Sequence, residues 1–369
     1  MARIFMAGNE LNDYTIEFPT LISGSHIASG NQPGGRRTGQ GNQGRFYFYN
    51  YSNASYPTVL QSLLPVTVSE VWGRFAYHEN GSAIGGTHGL FGFVNTAAGT
   101  PVVARLVKNW TGSAYTFSIQ NGAGSALATS SFSTSYADGQ WHLIEFRILM
   151  AGSGGRFEMW FDNTKILDYT GALVGAGSET TFNAIRMGNF IAPTNNLVQS
   201  FDDIALNDTS GTINNGRIGD GTIIALYPNG VGANSQLTNA FNNSTRNFEH
   251  VNRHREYALG TDPTGFVGTA TPGQKDTYHF EDVPPEYGAV NAIKFVALAN
   301  RNGPAIGNIR FRAIPPSQSE VAFPTAPGVA LPNGALNWVQ HIQEVNPNTS
   351  NPFTVPEVNG AEFGFSLEA

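Results

Sequence analysis

The stretch from Gly139 to Gly171, GQWHLIEFRILMAGSGGRFEMWFDNTKILDYTG, constrains the fold more than any other. In its first half His142, Ile144, Phe146, Ile148 and Met150 fall on one face of an extended strand. Trp141, Leu143, Glu145, Arg147 and Leu149 fall on the other. Gly152-Ser153-Gly154-Gly155 then reverses the chain, because glycine enters positive φ without steric cost. The return segment RFEMWFD sets Phe157, Met159 and Phe161 against Glu158, Trp160 and Asp162, and a second turn at DNTK leads into ILDYTG. A period of two on both sides of a glycine turn specifies a β-meander; a helix cannot satisfy it.

The same signal runs upstream. DYTIEFPTLI opens the chain and a Gly/Gln/Asn-rich loop follows from Gly30 to Gly44. RFYFYNY, with Phe46, Tyr47, Phe48 and Tyr49 unbroken, predicts a strand covered on both faces. EVWGRFAYH (70–78), HGLFGFVN (88–95), PVVARLVKN (101–109) and YTFSIQNG (115–122) come at spacings suited to a β-sandwich. Composition agrees: 43 Gly and 20 Pro punctuate the chain, and 40% hydrophobic with 12% aromatic residues is enough to build real cores. The fold class is all-β. At 369 residues the chain exceeds one compact core, so two domains are expected.

In the second half GTIIALYPNG reads as an apolar strand stopped by a turn, and NAIKFVALANRNG alternates before its own turn. IGNIRFRAI is its expected hairpin partner, with Ile306, Ile309, Phe311 and Ile314 in the core. GALNWVQHIQEV fits either a strand or a short helical turn. TVPEVNGAEFGFSLEA predicts a short helix entered by Thr354, with Pro356 in its first turn, and then a closing strand. The expected organisation is a jelly roll over 1–207, a linker over 208–220 and a smaller C-terminal β-rich domain over 221–369. There is no internal repeat, heptad or collagen-like triplet.

Net charge is −7, so neither nucleic acid nor an anionic membrane is an expected partner; Arg36-Arg37 and HVNRHREY (250–257) are short, isolated basic clusters. The absence of cysteine excludes a disulfide framework and any thiolate metal site. The N-terminus lacks the apolar run of a signal peptide, and no segment approaches the roughly 20 apolar residues of a membrane span. Synthesis in a reducing cytosol is the expectation.

The motifs carry a resemblance. Trp141, His142 and Glu145, then Trp160 and Asp162, then Gly188-Asn189, then Asp202, Asp203 and Ile204 match the second half of a concanavalin-A-like (laminin-G-like) β-sandwich jelly roll. Asn214-Asn215 through Pro228-Asn229-Gly230, Asp276 through Pro284, and Val358-Asn359 through Gly364 are similar to a recurring type of tailed-bacteriophage structural protein, most closely between 139 and 300. That resemblance implies a non-enzymatic virion component, made in the bacterial host cytoplasm, on the capsid or in the tail, baseplate or fibre apparatus. It implies other virion proteins as partners and assembly as a trimer or higher homo-oligomer, with docking through the C-terminal domain. The alternative it leaves open is a host-recognition module binding cell-surface glycans.

Several residues carry candidate chemistry. Trp110, Tyr115, Trp160 and Tyr169 are the aromatic candidates for stacking a sugar, Trp160 sharing a face with Glu158 and Asp162. Asp202 and Asp203 are the calcium candidates, although neighbours on a strand point to opposite faces unless a bulge intervenes. Asp208 and Asp220 fit turn positions. Glu158 and Asp162 lie four residues apart, roughly 13 Å along a strand, beyond the roughly 5–10 Å of a glycosidase pair. Glu70 also lacks a close carboxylate partner, and no nucleophile elbow or H-E-x-x-H string occurs. His250 and His254, with Glu249, stand at helical spacing without an evident third metal ligand.

Overall fold

The computed structural model describes residues 2–8, 16, 18–23, 27–32, 45–52, 59–79, 86–99, 102–110, 114–130, 140–174, 179–191, 197–239, 246–251 and 265–369. Of 20–23, 27–32, 45–52 and 197–198 it describes the backbone. Two compact units divide the chain, Met1–Ile224 and Ala225–Ala369. Arg36-Arg37, His254, most of DYTIEF and most of the Gly30–Gly44 loop lie outside the described residues, as do the side chains of RFYFYNY.

Alternation in the first unit gives β1 (Arg3–Ala7), β2 (Thr20–Ser23), β3 (Ile27–Gln32), β4 (Arg45–Ser52), β5 (Val59–Val68), β6 (Glu70–Glu79), β7 (Gly86–Val94) and β8 (Val102–Trp110). It continues with β9 (Tyr115–Asn121), β10 (Ala126–Thr129), β11 (Trp141–Leu149), β12 (Gly155–Phe161), β13 (Thr164–Gly171), β14 (Phe182–Gly188) and β15 (Leu197–Asn207). Sheet I runs β13-β12-β11-β6-β15-β4-β3, with β1 on β15; sheet II runs β10-β9-β8-β7-β14-β5-β2. The meander β11-β12-β13 sits at one end of sheet I. The non-sequential neighbours β6–β15 and β7–β14, both antiparallel, are the crossovers of a jelly roll.

The inward faces meet in one aromatic core. Phe75, Phe91, Phe93 and Phe146 are buried and contact one another at centroid separations of 5.4 to 6.4 Å. Gly73, in EVWGRF, pairs across the sheet with Phe146, and a Cβ there would lie 2.2 Å from the ring's Cζ. The missing side chain is what lets the ring lie across its partner strand.

In the second unit the strands are β16 (Pro228–Ser235), β17 (Thr238–Asn239), β18 (Val267–Gly268), β19 (Lys275–Phe280), β20 (Ile293–Ala299) and β21 (Asn308–Ile314). They continue with β22 (Val321–Phe323), β23 (Val329–Ala330), β24 (Asn337–Gln343), β25 (Val345–Asn346), β26 (Asn351–Pro352) and β27 (Glu362–Glu368). The helices are α1 (Asn247–Val251) and α2 (Val355–Gly360). Sheet III runs β16-β19-β27-β21-β22, with β23 on β21. Thr354 caps α2 through a capping box with Glu357, and the chain then enters the middle of sheet III as β27. Phe295 of β20 packs on Phe311, Phe323 and Phe363 at 4.8 to 5.7 Å.

Three expectations change here. β20 pairs with β24, so GALNWVQHIQEV supplies a strand, and β21 pairs with β27 and β22 instead of with β20. Ile306, Ile309 and Phe311 are buried, whereas Ile314 is half-buried at the strand end. Residues 221–227 of GTIIALYPNG form no strand. The N–H of Ile223 donates to the Asp203 carboxylate at 2.5 Å instead of joining a ladder.

Charge enters the jelly-roll core as a pair. Glu79 ends β6 in sheet I, Lys108 lies on β8 in sheet II, and the two form a fully buried salt bridge. The Tyr77 and Tyr115 hydroxyls donate to the two Glu79 oxygens at 2.9 and 3.0 Å. Burial pushes the Lys108 ammonium down from 10.5 to about 8, against the opposing pull of Glu79. Between those two values the unfolded chain holds a proton that the folded chain has released, so this group adds stability as pH rises through the window. Unfolding free energy measured by denaturant from pH 7 to 10 should show that contribution, and Lys108→Met should lack it. Lys108→Met alone strands Glu79 and is expected to cost about 3–5 kcal/mol. Adding Glu79→Gln should recover most of the loss.

Candidate functional site

The outer face of sheet I is occupied by the chain itself. Trp72 and Trp160 stack at 6.0 Å and 29°. Arg147 lies 5.1 Å from the Trp72 ring centroid, while Lys165 and Arg217 lie 5.4 and 5.0 Å from that of Trp160. Glu158, nearly buried, meets Arg147, Arg156 and Lys165 at 3.4, 3.0 and 2.5 Å. Residues 208–220, expected as a linker, form together with 221–224 a strap over this face within the first unit. Arg217 Nε and Nη2 donate to Glu145 Oε2 at 2.9 and 2.5 Å, and the N–H of Gly219 donates to Oε1 at 2.7 Å. Arg74 Nη1 donates to the Gly219 carbonyl at 3.1 Å.

The residues singled out from sequence are thereby placed. Tyr115 is fully buried beside Glu79 and presents no surface to a sugar, which corrects its candidacy. It lies on the inward face of β9, a parity the aromatic type alone does not reveal. Trp110, half-buried, packs on Tyr115 at 4.7 Å. Trp160 is half-buried with its faces met by Trp72 and two cations, so it offers no bare platform. Tyr169 packs against the core, and its hydroxyl donates to the Ala172 carbonyl at 3.0 Å. The four do not converge.

A bulge does intervene at Asp202–Asp203, where Asp203 takes φ 50°. Both carboxylates are buried and accept backbone N–H groups: Asp202 that of Asp203 at 2.7 Å, Asp203 that of Ile223. Among the described residues no group of three or more His, Asp or Glu is placed to hold a metal ion. Asp162 is engaged by His142 and by the N–H of Leu143, and Asp208 accepts the Ser210 N–H and hydroxyl in an Asx turn.

The outer face of sheet II is differently built. Register aligns Gln61 (β5), Arg186 (β14), Gly92 (β7), Arg105 (β8) and Gln120 (β9) in one row across five strands. Leu60, Ile185 and Met187, Phe91 and Phe93, Ala104 and Leu106, and Ile119 lie in the core, so the row faces outward. Arg186 Nε donates to Gln61 Oε1 and Arg105 Nε to Gln120 Oε1, each at 2.9 Å. Desolvation holds both guanidiniums below their ordinary value. Between the arginines lies the half-buried ring of Phe190. A Cβ on Gly92 would lie 3.5 Å from that ring and one on Gly89 would lie 2.9 Å from it, so the ring takes the space two side chains would fill. Asn189 anchors this segment by accepting the Gly89 N–H at 2.8 Å. The sequence signals were an arginine between apolar neighbours, twice, and the two glycines of HGLFGF.

No protein-family model and no curated protein matches the chain. Solved structures do. The cellulose-induced protein Cip1 is 11% identical over 59% of this chain and 100% of its own, with a TM-score of 0.43. The alginate lyase Aly36B is 10% identical over 55% and 96%, with a TM-score of 0.37. The carbohydrate-binding module CBM66 from Bacillus subtilis is 13% identical over 51% and 94%, with a TM-score of 0.30. The jelly-roll assignment of the first unit rests on the strand order of sheets I and II.

Because Glu145 holds both Arg217 and Gly219, Glu145→Ala is expected to release the strap. Limited proteolysis should then cut within 208–224 at least tenfold faster than in the wild type, with about 1–3 kcal/mol lost in denaturant unfolding.

Proposed function

We propose that the first unit is a non-enzymatic glycan-binding module that takes its ligand across the outer face of sheet II. One observation carries this reading: an aromatic ring laid on two glycines and flanked on both sides by an arginine–glutamine pair. A pyranose presents an apolar C–H face, which stacks on an aromatic ring. It also presents hydroxyls, which bond to planar amides and guanidiniums. The row contains no carboxylate, whereas glycoside hydrolysis needs two about 5–10 Å apart. Glu158 and Asp162, on the opposite sheet, are engaged in internal contacts.

A second reading places the module on a tailed-bacteriophage particle, where other virion proteins and further copies of the chain would hold it. It is favoured by the resemblance across 139–300 and by a charged content of only 13%, which leaves few groups to desolvate on assembly. The two readings are compatible. Symmetry-matched density for this chain in electron cryomicroscopy of intact particles supports the second; absence of the chain from purified particles removes it.

For the glycan reading the measurement is binding to an oligosaccharide array, followed by calorimetry on the best ligand. Phe190→Ala should weaken binding about tenfold, equivalent to about 1.4 kcal/mol, and Trp160→Ala should leave it unchanged. The reverse pattern would move the site to sheet I, and no binding to any glycan would end the reading.

A further inference from the structure

We propose that the glycan is acidic and that Arg105 and Arg186 each bind one of its carboxylates. This rests on the glycan-binding reading and adds the chemical class of the ligand. Elsewhere in the chain Arg147, Arg156, Arg217 and Arg312 each meet a glutamate. Arg105 and Arg186 meet glutamine, and among the described residues neither has a carboxylate partner. A neutral amide aims a guanidinium without cancelling its charge. In both arginines the glutamine engages Nε, which leaves the Nη1/Nη2 edge with four of the five N–H donors. That edge is the fork that matches a planar carboxylate with two parallel hydrogen bonds.

The placement of the pair fits a chain-like ligand. Arg186 and Arg105 are in register across β7, two strand spacings or roughly 10 Å apart. Gly92 lies between them without a side chain, and the Phe190 ring lies beside it. A sugar stacked on that ring would have a guanidinium to each side, so carboxylates on residues flanking the stacked one would each reach an arginine. Both groups are half-buried, and a guanidinium withdrawn from water without a counter-ion favours binding of an anion there. Gln61 and Gln120 act as positioning residues, holding each guanidinium through Nε on the side of its arginine away from Gly92; a Cβ on Gly124 would lie 2.0 Å from Arg105 Nη2.

The test uses the whole chain and three acidic probes: oligogalacturonate, hyaluronan hexasaccharide and oligosialate. Each is titrated beside its carboxyl-reduced counterpart, and heparin hexasaccharide is the sulfated comparison. At least one acidic probe should bind the wild type tenfold or more tightly than its reduced form. Arg105→Gln and Arg186→Gln should each remove about tenfold of that affinity while leaving the reduced form's affinity unchanged, and Arg186→Lys should fall between. The wild-type comparison of acidic and reduced probes needs no variant and so decides the matter even where a variant folds poorly. Equal binding of acidic and reduced probes overturns the acidic assignment and leaves the glycan reading standing. Tighter binding of heparin than of every other acidic probe, unchanged when heparin's own carboxyls are reduced, overturns the carboxylate assignment. No binding in any series defeats the glycan reading itself.

Discussion

One carboxylate decides how the outer face of sheet I is covered. Glu145 stands on the outward side of sheet I, yet it is almost wholly withdrawn from solvent. It is satisfied only because Arg217 and the N–H of Gly219 come back to it. Hydrogen bonds to a charged group contribute about 1.5–3 kcal/mol each, enough to hold an otherwise irregular strap against β12, β11, β6 and β15. With the strap in place Trp160 becomes a structural residue, packed between Trp72 and the Arg217 guanidinium. The face that in the sequence looked most like a binding surface is covered by the chain's own residues, and the proposed recognition site lies on sheet II.

Much of this was legible in the sequence and some was not, for physical reasons. The meander over 139–171 is local: its turns are glycine-rich and its alternation is strong, so strand boundaries and facing follow directly. The same holds for the helix capped by Thr354 and the strand after it. Pairing partners are another matter. β20 and β21 are neighbours in sequence and alternate alike, yet they join different sheets, because their partners β24 and β27 lie further along. Trp160 and Tyr115 could be assigned to a face of a strand, but what covers that face comes from 57 or 36 residues away or nearby in space: Arg217 over one, Glu79 against the other. The Gln61–Arg186–Gly92–Arg105–Gln120 row was invisible for the same reason, since it exists only after β14 inserts between β5 and β7.

A single device recurs inside and outside the sandwich. In the core, Phe146 lies over Gly73, where a side chain would collide with the ring. On the surface of sheet II, Phe190 lies over Gly89 and Gly92. Both rings occupy positions that β-strands normally give to side chains of their own, and both are fixed by the flanking register. In the core this gives dense packing; on the surface it gives a flat apolar patch set among polar groups. A rigid aromatic held this way gives up little conformational entropy when something stacks on it.

The position of β27 has a consequence for synthesis of the chain. Sheet III is built around a strand from residues 362–368, flanked by β19 and β21, both made earlier. Until that segment leaves the ribosome, β19 and β21 have no shared neighbour and the sheet has a gap at its centre. The jelly roll has the same feature earlier in the chain: β15 enters sheet I between β6 and β4, so its wait ends at Asn207. Translation therefore sets an order: the first unit can close while the second stays open, its Phe311 and Tyr278 awaiting the Phe363–Phe365 strand. Sheet III can close only once residues 362–368 have been made, an order written by topology and not by intrinsic stability.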